Sequence, residues 1–406
     1  MGPAIDDHYT IISADCHAGA SHETYRKYLD AKYLDDFDAW RAKYKNPFRD
    51  LQEGGRVRNW DNERRRGDLH ADGQVGEVVF PNTVPPFFPS FVLFARPPKP
   101  DEFEHRLAGI RAHNRWLADW CADYATERAG IGQIFLNDRD EAIRDLHFIK
   151  EHGLRGGALI AALPPDVDYL PPLYDPVHDP IWRTCEELEI PVHAHGGTGL
   201  PDYGKYPVAN LLYVMEALFY SQRPFVQFLL SGVFERFPNL KFVMTEQGCA
   251  WIPPMLKHMD AIIKQIRKTG RTGELRYSDE HKLVRLASEY FAQSCYVGVS
   301  QPMPADVTAM QKLGIDRMMW GSDYPHNEGT APYTREHLRQ LFCDWDPGDL
   351  QQVLATNAAK LFGFDLPELQ PLADEFGPTV GEIARPLTEL PEKPNEALLR
   401  GVRRAS

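Results

Sequence analysis

Four short stretches of the chain carry the residue types that hold divalent cations and move protons. The first, ISADCHAG, sets Asp15 and His17 two apart. Side chains at i and i+2 of a strand share a face, so this pair can offer an oxygen and an imidazole nitrogen to one ion. Taken alone, it reads equally well as a turn cap beside an exposed histidine. The second, PVHAHGG, sets His193 and His195 two apart ahead of two glycines that permit close backbone approach. His195, nearest the strand end, is the expected ligand; His193, one layer deeper, suits a hydrogen-bonded core position as well as a site. The third, MMWGSDYPH, places Asp323 directly after an apolar run. Asp323 is expected to bind metal and to take a proton from an attacking water, although a lone Asp there also makes a good turn former. His326, three residues on, would orient Asp323 or meet substrate. The fourth, MTEQGCAW, holds Glu246, balanced between a ligand or catalytic role and a carboxylate held by a neighbouring Arg. The expected metal set is Asp15, His17, His195 and Asp323; the expected catalytic groups are Asp323, Glu246 and His326.

These residues must be delivered by strand ends. Eight apolar, β-branched runs suit strands: 10–15, 76–81, 130–135, 155–160, 191–195, 241–246, 290–295 and 317–322. Helical patterns fill the gaps at 101–127, 138–152, 179–188, 209–219, 251–267, 304–313 and 333–342. Eight strands alternating with helices predict an α/β fold, a (β/α)8 TIM barrel. Neither GxGxxG after a strand nor GxxxxGK[ST] is present, which removes the best support for a nucleotide fold. The expected barrel spans 1–365, with 18–75 as a long insertion after strand one and 366–406 as a C-terminal extension. The insertion and the proline-rich stretch 82–100 follow strand C-termini, so both should cover the barrel mouth. In the insertion, Arg56, Arg58 and Trp60 read as a carboxylate clamp or, more plainly, as a solvated basic run. Trp251 and Trp320 read as packing residues. The tail either wraps the barrel or a partner subunit, or is partly disordered.

Composition narrows the partners. A net charge of −13 over 406 residues excludes nucleic acid and anionic lipid as natural partners, leaving a small-molecule substrate. Six cysteines without a CxxC pair fit a reducing compartment. The N-terminal residues show no basic segment followed by an apolar one, and no apolar run is long enough for a bilayer, so a cytoplasmic protein is expected. Aromatic and proline-rich loops predict a pocket for a partly apolar molecule. The insertion and the tail offer surfaces for a homodimer.

The ordered set IISADCHAG, IPVHAHGG, FPNLKFVMTEQGCAWIPPMLKHMD and MMWGSDYPHNEG resembles the amidohydrolase-2 family of the amidohydrolase superfamily, relatives of aminocarboxymuconate semialdehyde decarboxylase, over about residues 10–362. The resemblance implies a TIM barrel with one divalent ion, zinc first and manganese second. It maps ligation onto Asp15, His17, His195 and Asp323, with Asp323 also shuttling protons. There are two departures: Asp15 stands where the best-known decarboxylases of the family carry His or Glu, and Glu246 where they carry a His on strand six. The second departure turns the expectation towards a hydrolase of a small aromatic or carboxylate-bearing substrate, using metal-activated water. The alternatives are a non-oxidative decarboxylase of an aromatic or unsaturated acid, and a metal-free binding or scaffold protein on the same barrel.

Overall fold

The computed structural model describes residues 3–45, 56–278 and 283–402. Eight parallel strands follow one another around the sheet in chain order: β1 Ile12–Ala18, β2 Gly76–Pro81, β3 Arg128–Ile134, β4 Gly157–Ile160, β5 Val192–His195, β6 Phe242–Thr245, β7 Cys295–Ser300 and β8 Met318–Gly321. Almost every strand residue is buried, because helices cover the outer face and side chains fill the interior. The helices carry local signals that start and stop them. Asp138 caps Arg139–Glu151 by accepting from the Asp140 and Glu141 amides. Ile252–Thr269 opens with proline in its first turn and ends at Gly270, whose φ of 67° lies in the left-handed region that glycine tolerates. The architecture is the expected (β/α)8 barrel.

The ring closes between its first and last strands, and that seam belongs to the site. Cys16 bridges Tyr324 in parallel register. The His17 amide donates to the Tyr324 carbonyl at 2.7 Å, and the Asp323 amide donates to the Asp15 carbonyl at 2.8 Å. A Cβ at Gly321 would lie 2.8 Å from the Asp15 Cβ, so only glycine lets β8 come this near β1. The β1–β2 register slips between Ser13 and Cys16, setting two β1 residues against one of β2, a bulge beside Asp15.

One strand departs from expectation. Residues 290–294 belong to the helix Ala287–Ser294, and β7 begins only at Cys295. Ala287, Tyr290, Phe291 and Ser294 are the buried residues of this helix, spaced i, i+3, i+4, i+7; the aromatic run is a helix stripe rather than a pleat.

The insertion folds into the helices His22–Tyr28, Leu34–Lys43 and Asn62–Ala71. The C-terminal residues form helices Leu366–Phe376, Val380–Ile383 and Glu396–Arg400, burying Leu369, Ala373, Ile383 and Leu398. The Asn395 amide donates to the Gly329 and Thr330 carbonyls at 2.8 Å each, tying the tail to the loop after β8. Among the described residues, no helix is long and apolar enough to cross a membrane.

Candidate metal centre

Strand ends deliver every expected ligand to the same mouth. Asp15 and His17 project from β1, and His195 ends β5; all three are fully buried. Glu246 follows β6, and Asp323 lies two residues beyond β8. Three successive strand ends leave ordinary backbone geometry: φ is 56° at Glu246, 43° at Gln301 after β7 and 62° at Asp323. Left-handed backbone costs a residue with a Cβ about 1–2 kcal/mol, and such strain gathers where side chains must be aimed. Gly196 shows the same pressure, since a Cβ there would collide with the Glu246 carbonyl oxygen.

Donor atoms of Asp15, His17, His195 and Glu246 lie within 4.8 Å of one another, and those of His17, Asp323 and His326 form a second such group sharing His17. His17 Nε2 is 3.2 Å from Asp15 Oδ1 and 3.2 Å from Asp323 Oδ1. His195 Nε2 is 3.5 Å from Asp15 Oδ1, and its Nδ1 is 3.3 Å from Glu246 Oε2. Glu246, balanced between roles in the sequence, therefore stands inside the cluster. Asp323 joins it through His17 and pairs with His326 Nδ1 at 2.7 Å.

The donor set fits one divalent ion. His17 Nδ1 faces the Pro81 carbonyl at 3.3 Å, which only accepts, so that nitrogen carries the hydrogen. Nε2 lies against two carboxylate oxygens, so it carries a proton or, with its lone pair free, shares a cation with them. Such an arrangement calls for a cation between the groups. Electrostatics agree. Burial opposes charge on His17, yet the Asp15 and Asp323 carboxylates override it and push the imidazole up to about 10. Burial likewise opposes charge on Asp15, but His17 and His195 hold its carboxyl well below the usual range. Glu246 keeps 30% of its side chain open to the mouth. Its carboxyl is nevertheless pushed well above the ordinary range, first by burial and then by repulsion from Asp323 and Asp15. Among the described residues, no Lys or Arg forms an ion pair with these three acids.

His193 behaves as a core residue: its Nε2 meets the Gly156 carbonyl at 2.7 Å, and burial pushes it down to about 3. Three residues outside the expected set hold the acids in place. Ser300 donates its hydroxyl to Asp15 Oδ2. Gln301 Nε2 donates to Asp323 Oδ2 at 2.6 Å, and Asn82 Oδ1 lies 3.0 Å from His326 Nε2. Ser300 and Gln301 escape notice when strand seven is set five residues early.

The basic run of the insertion divides. Arg65 is fully buried, donates to the His17 carbonyl at 2.8 Å and pairs with Glu77. Arg58 offers Arg65 its carbonyl, and the Trp60 carbonyl accepts from Trp120 Nε1. Arg56 lines a cavity of about 150 Å³ with His22, Arg41, Tyr44 and Thr83, and its guanidinium sits 5.9 Å from the Trp60 ring. A second cavity, of about 320 Å³, opens beyond β3, β4 and β5; Phe88, Phe94, Phe135, Leu159, Gly197 and Tyr213 are among its walls. Trp320 is fully buried packing.

The sequence profile of the amidohydrolase family matches residues 14–364, which include all of these strand ends. The chain belongs to the amidohydrolase family. A curated relative within reach of this amidohydrolase is gamma-resorcylate decarboxylase of Rhizobium sp. (strain MTP-10005), 22% identical over 265 residues, 63% of this chain and 76% of that protein. Among solved structures, 5-carboxyvanillate decarboxylase of Sphingomonas paucimobilis is 20% identical, covers 88% of this chain and all of its own (100%), and has a TM-score of 0.62. Dihydroxybenzoic acid decarboxylase of Polaromonas sp. JS666, solved with manganese and 2-nitroresorcinol, is 16% identical with a TM-score of 0.60, covering 87% of this chain and 97% of its own. At these identities the solved structures speak for the fold. The curated relatives are named decarboxylases, which overturns the expectation of a hydrolase. The substitution of Glu246 for a histidine was too slight a ground for that expectation, since a buried carboxyl that holds its proton can still act as an acid. Zinc, expected first, finds no support here; the Polaromonas structure holds manganese.

Proposed function

We propose that this amidohydrolase is a metal-dependent, non-oxidative decarboxylase of an aromatic carboxylic acid. The observation that carries the reading is a mouth where three carboxylates and two buried imidazoles converge with no Lys or Arg paired to the acids among the described residues, in a chain whose curated relatives are decarboxylases. Asp15, His17, His195 and Asp323 would hold the ion, with manganese favoured by the Polaromonas relative. When bound, the ion supplies positive charge that draws electron density from the substrate carboxylate and an adjoining oxygen. Glu246, whose carboxyl burial pushes above the ordinary range, would give a proton to the ring carbon. The carbon–carbon bond breaks as CO2 leaves, its electron pair forms the new C–H bond, and Glu246 is left as carboxylate to be reprotonated from solvent. Asn82 and His326 hold Asp323 in line from one side, and Gln301 from the other. The apolar cavity suits an aromatic ring.

The test is to load the protein with manganese and offer gamma-resorcylate, 5-carboxyvanillate and other hydroxylated benzoates in deuterated water. Expected products are CO2 and the shortened arene with one deuterium at the vacated carbon. A manganese-replete protein that releases no CO2 from any member of the panel would sink the reading.

A further inference from the structure

Two buried polar side chains stand in the wall of the cavity of about 320 Å³ with hydrogen-bonding atoms unmet. Gln133, on β3, is 2% exposed, and neither polar atom of its side-chain amide has a hydrogen-bond partner. Its backbone is nonetheless held fast: Asn114 donates to the Gln133 carbonyl at 2.9 Å and accepts from its amide at 3.0 Å. Arg106 is 4% exposed and lies on the helix Phe103–Ala122, about two turns before Asn114. Its guanidinium sits 3.9 Å from the Phe88 ring centre and 5.7 Å from that of Phe135. One nitrogen donates to the Arg96 carbonyl at 3.0 Å, but Nε has no partner, and among the described residues Arg106 forms an ion pair with no acid. Glu102, one turn back, is exposed and accepts from the Lys99 amide at 3.1 Å. Arg96, in the same wall, is by contrast met by Asp166 at 3.1 Å. Burial without a counter-charge pushes the Arg106 guanidinium down to about 10.

We propose that Arg106 and Gln133 read a second carboxylate on the substrate, carried on the side of its ring away from the carboxyl that is lost. The place of the reacting carboxyl rests on the decarboxylase reading; the seat of the second one rests on these two residues. The cavity adjoins the metal centre, since Gly197 and Thr198 in its wall follow His195 and the Thr198 hydroxyl donates to the His195 carbonyl at 2.7 Å. Tyr213, also in the wall, donates its hydroxyl to the Gly197 carbonyl at 3.0 Å. A cavity of ~150 Å³ takes one benzene ring. About 320 Å³ therefore holds a ring and a substituent beyond it. A guanidinium taken out of water and left without an acid favours an anion over a neutral group. A carboxylate has lone pairs for Arg106 Nε and for the Gln133 amide nitrogen, and its planar shape suits the guanidinium edge. A phenol hydroxyl would satisfy Gln133 and leave the charge of Arg106 unanswered.

The experiment is calorimetric titration of the manganese-loaded full chain with benzoate, 4-hydroxybenzoate, isophthalate and terephthalate, so that binding is read apart from turnover. At least one of the two dicarboxylates should bind ~10-fold or more tightly than benzoate and 4-hydroxybenzoate. Arg106→Met and Gln133→Leu should each remove that preference while keeping the far-UV circular dichroism of the parent. In case Arg106→Met fails to fold, Gln133→Glu puts a carboxylate of the chain into the cavity and should bring dicarboxylate affinity down to that of benzoate or below. Dicarboxylates that bind no better than benzoate, a tighter fit for 4-hydroxybenzoate, or a folded variant that keeps the preference would each overturn the proposal. Dicarboxylates that bind as expected to a protein that releases no CO2 from the hydroxylated benzoates would support this site and count against the decarboxylase reading instead.

Discussion

Two buried charge clusters sit one above the other in this barrel, and they are built on opposite plans. In the lower one, Glu77 is gripped by Arg65 at 2.5 Å and by Arg128 at 3.2 Å. The Arg128 guanidinium lies 3.5 Å from the Trp120 ring centre, and Arg65 lies 4.9 Å from that of Tyr324. That cluster is closed, with the acid fully met by its own partners. The upper one gathers Asp15, Glu246 and Asp323 around His17 and His195, with no Lys or Arg paired to its acids among the described residues. A closed cluster holds strands in register; an open one of this sign stores a demand for a cation. Arg65 links the two by holding the His17 carbonyl.

The largest effect should come from removing a donor of the open cluster. His195→Ala or Asp15→Ala is expected to lose the bound divalent ion and all turnover, as elemental analysis and CO2 release would show; a variant that still turns over contradicts the ligand assignment. Breaking the closed cluster should do the reverse. Arg65→Met strands Glu77 with one partner and is expected to cost about 3–5 kcal/mol in chemical denaturation, with or without metal. A smaller effect should follow from Gln301→Ala, which frees Asp323 Oδ2: manganese affinity should fall about 10–100-fold by titration with little change in stability.

The subtlest difference lies in pH dependence of the metal-free protein. His17 has its imidazole raised from 6.5 to about 10, so its contribution to stability is complete below pH 6.5 and is lost as pH rises towards 10. Glu246, also raised, binds its proton more tightly in the folded state and loses stability in the same direction. Above about pH 7.5 the buried His22, His113, His193 and His337, all pushed down by burial, are neutral folded or unfolded. In that range metal-free protein should weaken as pH rises, and manganese should remove that slope. Unfolding midpoints from pH 7.5 to 9, with and without the ion, would reveal it; a flat metal-free profile would show that the open cluster carries no such strain.

How far the sequence could be read depended on the range of the physics involved. Asp15 with His17 was legible because alternation along one strand is local, and HAHGG announced its close turn through glycine. Barrel class followed from eight strands and the seven helical patterns that follow them, each a local pattern. Strand seven was misplaced because an aromatic run with helical spacing resembles a buried strand when read over six residues, and that slip hid Ser300 and Gln301. Arg65 lay in a run that looks solvated, and nothing in its neighbours reveals Glu77 twelve residues on.

By itself, then, the sequence determined the barrel and the donors at the ends of strands one, five, six and eight, since periodicity and residue type are properties of a short stretch of chain. Tertiary structure alone decided which charges are met and which are left open, because neutralisation depends on groups brought together from strands far apart. For the same reason it alone showed that Leu211, Val214, Met215, Leu218 and Phe219 of the helix Ala209–Ser221 face water: a hydrophobic period says that a face should be covered, and only packing says whether this chain covers it.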